Sequence, residues 1–220
     1  MNPLVTTLAP MDAYRLLARD YDRNPNPMLV LEQRTMTPLV PPLRGACVVD
    51  AAAGTGRWAS YCGSQGAATI ALDFCQDMLT GAPHPVVVAD LNRLPLPDSI
   101  ADVTICAFAM GYAPACLREL ARITRRGGMI LVSDMHPDAI RRGWTRTFSH
   151  PTGVIEVTHH PYTIEDLVAP ELRLDCLYEP RFGEPEREVF AKAGKLEAFD
   201  EAARHPAIFV ARWIKGSSKA

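Results

Sequence analysis

Apolar residues recur along this chain in two rhythms. Between Asp12 and Asp22, Tyr14, Leu17, Ala18 and Tyr21 fall three or four positions apart, the spacing of one helical face. The run NPNP at 24–27 ends that helix, because proline removes an amide and pushes the residue before it out of the helical region. A second helical stretch runs from Met28 to about Val40 and stops at Pro41 and Pro42. The rhythm then changes to short, nearly unbroken apolar runs: ACVVDA (46–51), ATIALD (68–73), VVVAD (86–90), ADVTICAF (101–108) and MILVSD (129–134). Helical stretches separate some of them, TGRWASYCGSQG after the first and one carrying Leu117, Leu120 and Ala121 after the fourth, with Gly127 and Gly128 placed as C-cap residues. Apolar strands alternating with helices predict an α/β fold around a mostly parallel sheet buried on both faces.

Beyond residue 135 the pattern loosens. TRTF (145–148) and GVIEVTHH (153–160) flank SHPTG and predict a hairpin that leaves the sheet. A short helix from Thr163, a strand LRLDCLYE (172–179), a helix near Glu186 to Arg204 and a last strand AIFVARW (207–213) follow, before the polar tail GSSKA. The expected division is one domain over 1–220: a helical preface or lid (1–42), a cofactor-binding core (46–135), a cap over the substrate (136–170) and a closing strand–helix–strand (171–214).

Composition narrows the partners. A chain of 220 residues, 48% hydrophobic, suffices for one sizeable α/β core. With 23 basic residues against 25 acidic ones, the net charge of −2 offers no pull toward nucleic acid or an anionic membrane. No apolar run approaches the roughly 20 residues of a membrane span, and MNPLVTTLAP lacks the form of a secretion signal, so a cytoplasmic protein is expected. Six cysteines without a C-x-x-C pair read as reduced thiols, of which only Cys106, ending a strand, is placed for reactivity. No metal-binding spacing occurs.

The chemistry concentrates in VVDAAAGTGR (48–57). Asp50 ends a strand, small residues follow at 51–54 and 56, and a helix begins, so backbone amides can meet a ligand closely. Asp73 ends the second strand, 17 residues after Gly56, where a carboxylate can accept from both hydroxyls of a ribose, and Asp90 ends the third. In this order the segment from Val48 to Asp134 resembles the class I S-adenosylmethionine-dependent methyltransferases. The resemblance implies a Rossmann-like seven-stranded, mostly parallel sheet with helices on both faces and an antiparallel final strand beside the sixth. It also implies S-adenosylmethionine as cofactor, held by Asp50, Ala52, Gly54 and Gly56 at the turn, Asp73 and Phe74 at the ribose, Asp90 and Leu91 at the adenine, and Ala107, with Tyr21 as a lid. Ala52 stands where that family has glycine. Gly54-Thr55-Gly56-Arg57-Trp58-Ala59 also satisfies the dinucleotide pattern G-x-G-x-x-[GA], so an NAD(P)-dependent oxidoreductase is the rival reading, and a non-catalytic S-adenosyl-ligand binder a third.

Apolar and aromatic residues near the expected carboxyl edge, Met110, Tyr112, Trp144, Phe148, Tyr162 and Phe182, suggest a small apolar or aromatic acceptor. The segment Ala107-Phe108-Ala109-Met110 lacks the acids of metal-dependent catechol methylation and the Asn-Pro-Pro-aromatic signature of amide or base methylation. His136, directly after the fifth strand, is the candidate general base, with His159 and His160 behind it; His84, His150 and His205 sit beside prolines in loops.

Overall fold

The computed structural model describes residues 5–83 and 85–216; His84 lies outside them. The chain opens with β1 (Val5–Leu8), α1 (Pro10–Leu17), a 3₁₀ turn at Tyr21–Arg23 and α2 (Pro27–Met36). The sheet begins with β2 (Cys47–Ala51), followed by α3 (Arg57–Ser64), β3 (Ala68–Asp73), β4 (Val86–Val88), β5 (Ala101–Ala107), α4 (Leu117–Ile123) and β6 (Thr124–Met135). After α5 (Pro137–Arg141) come β7 (Arg146–His150), β8 (Gly153–Val157), β9 (Leu172–Tyr178), α6 (Glu184–Lys192), α7 (Phe199–Ala202) and β10 (Ile208–Lys215).

Seven strands form one sheet in the order β4-β3-β2-β5-β6-β10-β9. The pairs from β4 to β6 are parallel, and β10 runs antiparallel to both β6 and β9. The chain moves outward from β2 to β4, then returns to place β5 on the other side of β2. That reversal, between β2 and β5, is where open α/β sheets bind ligands at the carboxyl ends of their strands.

Alternation along the strands builds both faces. Val49, Ile130, Val132, Phe209 and Ala211 enter one buried cluster with α4, while Val48, Leu131, Ile208 and Val210 enter another with α2, α3, α6 and α7. The second cluster contains α2, and polar anchors hold that helix there. Buried Glu32 accepts from Trp58 Nε1 at 2.9 Å, Ser133 Oγ at 3.0 Å and Arg57 at 2.6 Å; Arg34 grips buried Glu186 at 2.7 Å. The preface therefore divides: α2 is core, and the α1 and 3₁₀ segment lies over the sheet's edge.

Several expectations change. Gly127 and Gly128 do not cap a helix: α4 stops at Ile123, and both glycines lie in β6, where the pairing steps from Ala101↔Thr124 to Val103↔Met129 across a bulge. A side chain on Gly128 would press within 2.9 Å of Asp102 O and 2.8 Å of Arg125 O, so packing selects the glycine. Thr163 begins a turn rather than a helix, its amide and hydroxyl both donating to Asp166 Oδ2 at 2.9 Å. The helix expected over 186–204 is broken into α6, a 3₁₀ turn at Leu196–Ala198 and α7. The hairpin forms as β7 and β8, and β1 joins it in parallel, with Val5↔Val154 and Leu8↔Val157 in register. Nothing in the local pattern of residues 5–8 announced that strand.

Candidate active site

The turn from β2 into α3 is built around positive φ. Ala52 adopts φ 64°, Gly54 56° and Gly56 82°. At Gly56 no other residue fits, since a Cβ would lie 2.7 Å from both Ala82 Cβ and Pro83 Cδ. Ala52 pays for the same handedness with Cβ–carbonyl crowding. Asp50, buried at the end of β2, accepts from the Ala59 amide at 2.8 Å and so locks the start of α3 against the sheet. Burial pushes its carboxyl up to about 7, against the lowering effect of that amide and of Arg57. Asp73 accepts from Gly54 N through Oδ2 and from Cys75 N through Oδ1, both at 2.8 Å. Each of its oxygens has further lone-pair capacity for a ligand hydroxyl. Burial, the largest effect, raises its pKa in spite of these bonds.

A small cleft of about 60 Å³ opens at the switch point, lined by Asp50, Ala52, Gly54, Ala107, Phe108 and Tyr21 among others. Its roof is the 3₁₀ segment: Thr55 Oγ1 donates to Asp22 Oδ1 at 2.9 Å, and Tyr21 leans on Tyr14 with ring centroids 6.4 Å apart. The candidates Asp50, Ala52, Gly54, Ala107 and Tyr21 thus meet around one space, with Asp73 bonded to its turn. Gly56 shapes the turn from behind. Phe74 is exposed; Asp90 is exposed and closed into an Asx turn through Asn92 N at 2.8 Å, with Leu91 buried beside it.

The acceptor-side candidates separate into three places. Tyr112 and Phe148 pack with Tyr14 against the small cluster of Ala13, Ile155 and Val157, which joins α1 to the hairpin. Tyr162 is buried and donates its hydroxyl to Met135 O. Met110 is fully buried in the core, its sulfur 3.6 Å from Cys116 Sγ. Trp144 stacks on Phe182 at 6.1 Å, under α6 and away from Phe148, at the head of an aromatic row with Phe190 and Phe199.

His136 caps α5. Its Nδ1 accepts from Asp138 N at 3.0 Å and its Nε2 lies 2.8 Å from Glu179 Oε1, so the ring is held at both nitrogens. His159 sits against Gly111, where an added Cβ would meet His159 Cβ at 3.3 Å, and exposed His160 donates its amide to Gly111 O at 2.6 Å. Cys106 is buried, with its pKa raised by its contact with Cys116 and by burial, which makes it unreactive.

The sequence pattern missed Asp134 and Arg146. Asp134, fully buried at the end of β6, forms an ion pair with Arg146, which also donates to Phe108 O at 3.1 Å and lies 4.7 Å over the Tyr112 ring. An acid in MILVSD followed by an arginine 12 residues later carried no spacing signal.

The sheet order and the left-handed turn at its switch point are those of a Rossmann-like α/β domain with an antiparallel strand beside the sixth. Residues 49–132 match the family model described as a methyltransferase domain. The chain is 33% identical over 99 residues to a malonyl-[acyl-carrier protein] O-methyltransferase of Serratia marcescens, covering 41% of this chain and 39% of that one. It is 34% identical over 129 residues to a demethylmenaquinone methyltransferase of Mycolicibacterium gilvum, covering 56% and 51%. The matches thus span about half, or less, of these relatives. Among solved structures, an S-adenosylmethionine-dependent methyltransferase from Mesorhizobium loti superposes with TM-score 0.65 over 86% of this chain and all of that one, at 18% identity. Among the described residues no helix is long and apolar enough to cross a membrane, and no group of side chains has the makings of a metal site.

Proposed function

We propose that the protein is an S-adenosylmethionine-dependent methyltransferase that moves a methyl group to a small apolar or aromatic acceptor, in the cytoplasm and without a nucleic-acid partner. The observation that carries this reading is the meeting, at the switch point, of the left-handed turn 52–56 with the carboxylate of Asp73, which holds Gly54 N and retains lone pairs for a ligand. When bound, the cofactor supplies a methyl group already activated by the positive charge on its sulfur. The chain's own work is then alignment. Asp73 holds the ribose hydroxyls, the turn amides meet the amino-acid end, and Asp90 and Leu91 bracket the adenine. Residues 1–42 divide into a fixed α2 and a lid around Tyr21, and residues 136–170 cap the acceptor.

The cleft of about 60 Å³ is far below the roughly 300 Å³ at which ligand pockets begin. Cofactor entry therefore requires Tyr21 and Asp22 to swing off the turn, breaking the Thr55–Asp22 bond. Calorimetry with S-adenosylhomocysteine, NAD and NADP tests the reading. Binding of the first alone is expected; binding of a nicotinamide dinucleotide alone sinks it in favour of the oxidoreductase. The names of the relatives, one acting on a malonyl group and one on a demethylmenaquinone, support a small-molecule acceptor.

A further inference from the structure

The Arg146 cluster has donors left over. Asp134 spends its oxygens internally, Oδ1 on Met135 N and Arg146, Oδ2 on Gly111 N at 3.0 Å. Tyr162 gives its hydrogen to Met135 O. The hydroxyls of Tyr14 and Tyr112 lie 2.8 Å apart, so one hydrogen sits between them and the other is not used by the pair. Burial, and for Tyr14 the neighbouring Tyr112, raises both phenols further above the usual range, keeping them protonated donors. Arg146, its side chain only 10% exposed, is the one case among the described residues of a buried side-chain nitrogen or oxygen without a partner: its Nε–H has none. Buried donors are normally satisfied, and an exception bonded to a residue that lines the cleft, as Arg146 is to Phe108, asks for a ligand.

The cluster borders the proposed methyl-transfer site on two sides. Arg146 bonds to Phe108 O, and Phe108 lines the cleft; Tyr14 packs on Tyr21, which lines it too. We infer that Arg146, with the Tyr14–Tyr112 pair, is the subsite for an oxyanion of the acceptor, a carboxylate or a phenolate or enolate oxygen. This assignment rests on the methyltransferase reading. Two N–H or O–H donors, one of them on a cationic guanidinium, favour an anionic oxygen with open lone pairs over a protonated amine, whose charge the guanidinium repels. The guanidinium, held by the carboxylate of Asp134, is rigid and gives a charge-assisted bond. The sulfonium of the proposed cofactor puts a positive charge on the same edge, which favours a negative oxygen over a neutral carbonyl.

The test uses the full chain saturated with S-adenosylhomocysteine and two matched pairs of probes, benzoate with benzamide and, at alkaline pH, 4-nitrophenolate with nitrobenzene, titrated calorimetrically. At least one oxyanion should bind tenfold or more tightly than its neutral partner, and the pair that shows it separates a carboxylate acceptor from a phenolate one. Replacing Arg146→Gln together with Asp134→Asn, which leaves no bare buried charge, should reduce that preference below twofold while S-adenosylhomocysteine binds as before. Tyr14→Phe should weaken it severalfold with the fold untouched. Equal binding of oxyanion and neutral partner, binding of neither, or a preference that survives the double replacement overturns the assignment. Failure of the wild type to bind S-adenosylhomocysteine strikes the methyltransferase reading instead, and is seen before any probe is added.

Discussion

The two sides of the cleft are made differently. The turn side uses backbone: amides in a left-handed turn, small residues and two carboxylates, all between residues 50 and 73. The hairpin side uses long side chains, Tyr14, Tyr112, Asp134, Arg146 and Tyr162, which only the tertiary fold brings together. A ligand common to a whole family can be met by backbone geometry, which tolerates no freedom of position. A ligand peculiar to one protein is met by side chains, which can be exchanged without disturbing the sheet.

If that contrast holds, changes on the two sides separate stability, cofactor binding and acceptor binding. The largest expected effect is on the hairpin side: Arg146→Ala strands the buried carboxylate of Asp134, and urea unfolding should show a loss of about 3 to 5 kcal/mol. A loss under about 1 kcal/mol would mean the pair is hydrated and the hairpin side loosely built. Next is Asp50. Its folded pKa near 7 lies above that of an unfolded carboxylate, so between about pH 4 and 7 the folded protein keeps a proton that the unfolded chain has released. Stability must then fall as pH rises through that window, by up to about 1.4 kcal/mol per unit for one proton. Asp50→Asn, which can still accept from Ala59 N, should flatten the slope and make the protein more stable than wild type at pH 8; an unchanged slope removes Asp50 as its source.

Asp73→Asn should weaken S-adenosylhomocysteine binding by roughly tenfold or more, the loss of one charge-assisted bond of about 1.5 to 3 kcal/mol, with oxyanion preference on the other side preserved. Unaltered cofactor affinity in the folded variant would reduce Asp73 to a brace for Gly54. His136→Ala should cost about 1 kcal/mol as a lost cap; a hundredfold drop in kcat beyond that would mark it as the general base, and a change within about twofold would leave it a cap alone. Smallest is Ala52→Gly, expected to add about 1 kcal/mol by relieving a φ of 64°. No gain in Tm would show that the turn carries no strain there.

The same contrast explains what could be read from the chain. Strands β2, β3 and β5 were legible within a residue or two because burial on both faces leaves an unbroken apolar run, and Asp50, Gly54, Gly56 and Asp73 were legible because their spacing is a property of one strand–turn–helix–strand unit. The antiparallel place of β10 followed from resemblance, not from its own residues. Trp144 and Phe148 looked equivalent, four positions apart on the same excursion, yet α5 ends between the sheet and the hairpin so that they face different clusters. His136 looked free because its position at a strand end says nothing of Glu179, which arrives 43 residues later on the far side of the hairpin. Arg146 and Asp134 left no trace because an ion pair between separate elements has no period.

The pairing of β1 with β8 also has a consequence in time. Strands β7 and β8 are neighbours in sequence and can zip together as soon as both exist, whereas Val5 meets Val154 only after almost 150 intervening residues have been made. Such a long-range parallel contact carries a high loop-closure entropy and contributes to slow folding. Strand β1 is therefore among the last to dock, and until it does, α1 and the phenol of Tyr14 have no fixed place beside Tyr112. The Tyr14–Tyr112 side of the molecule is completed late in folding, after the turn at 52–56 is already in place.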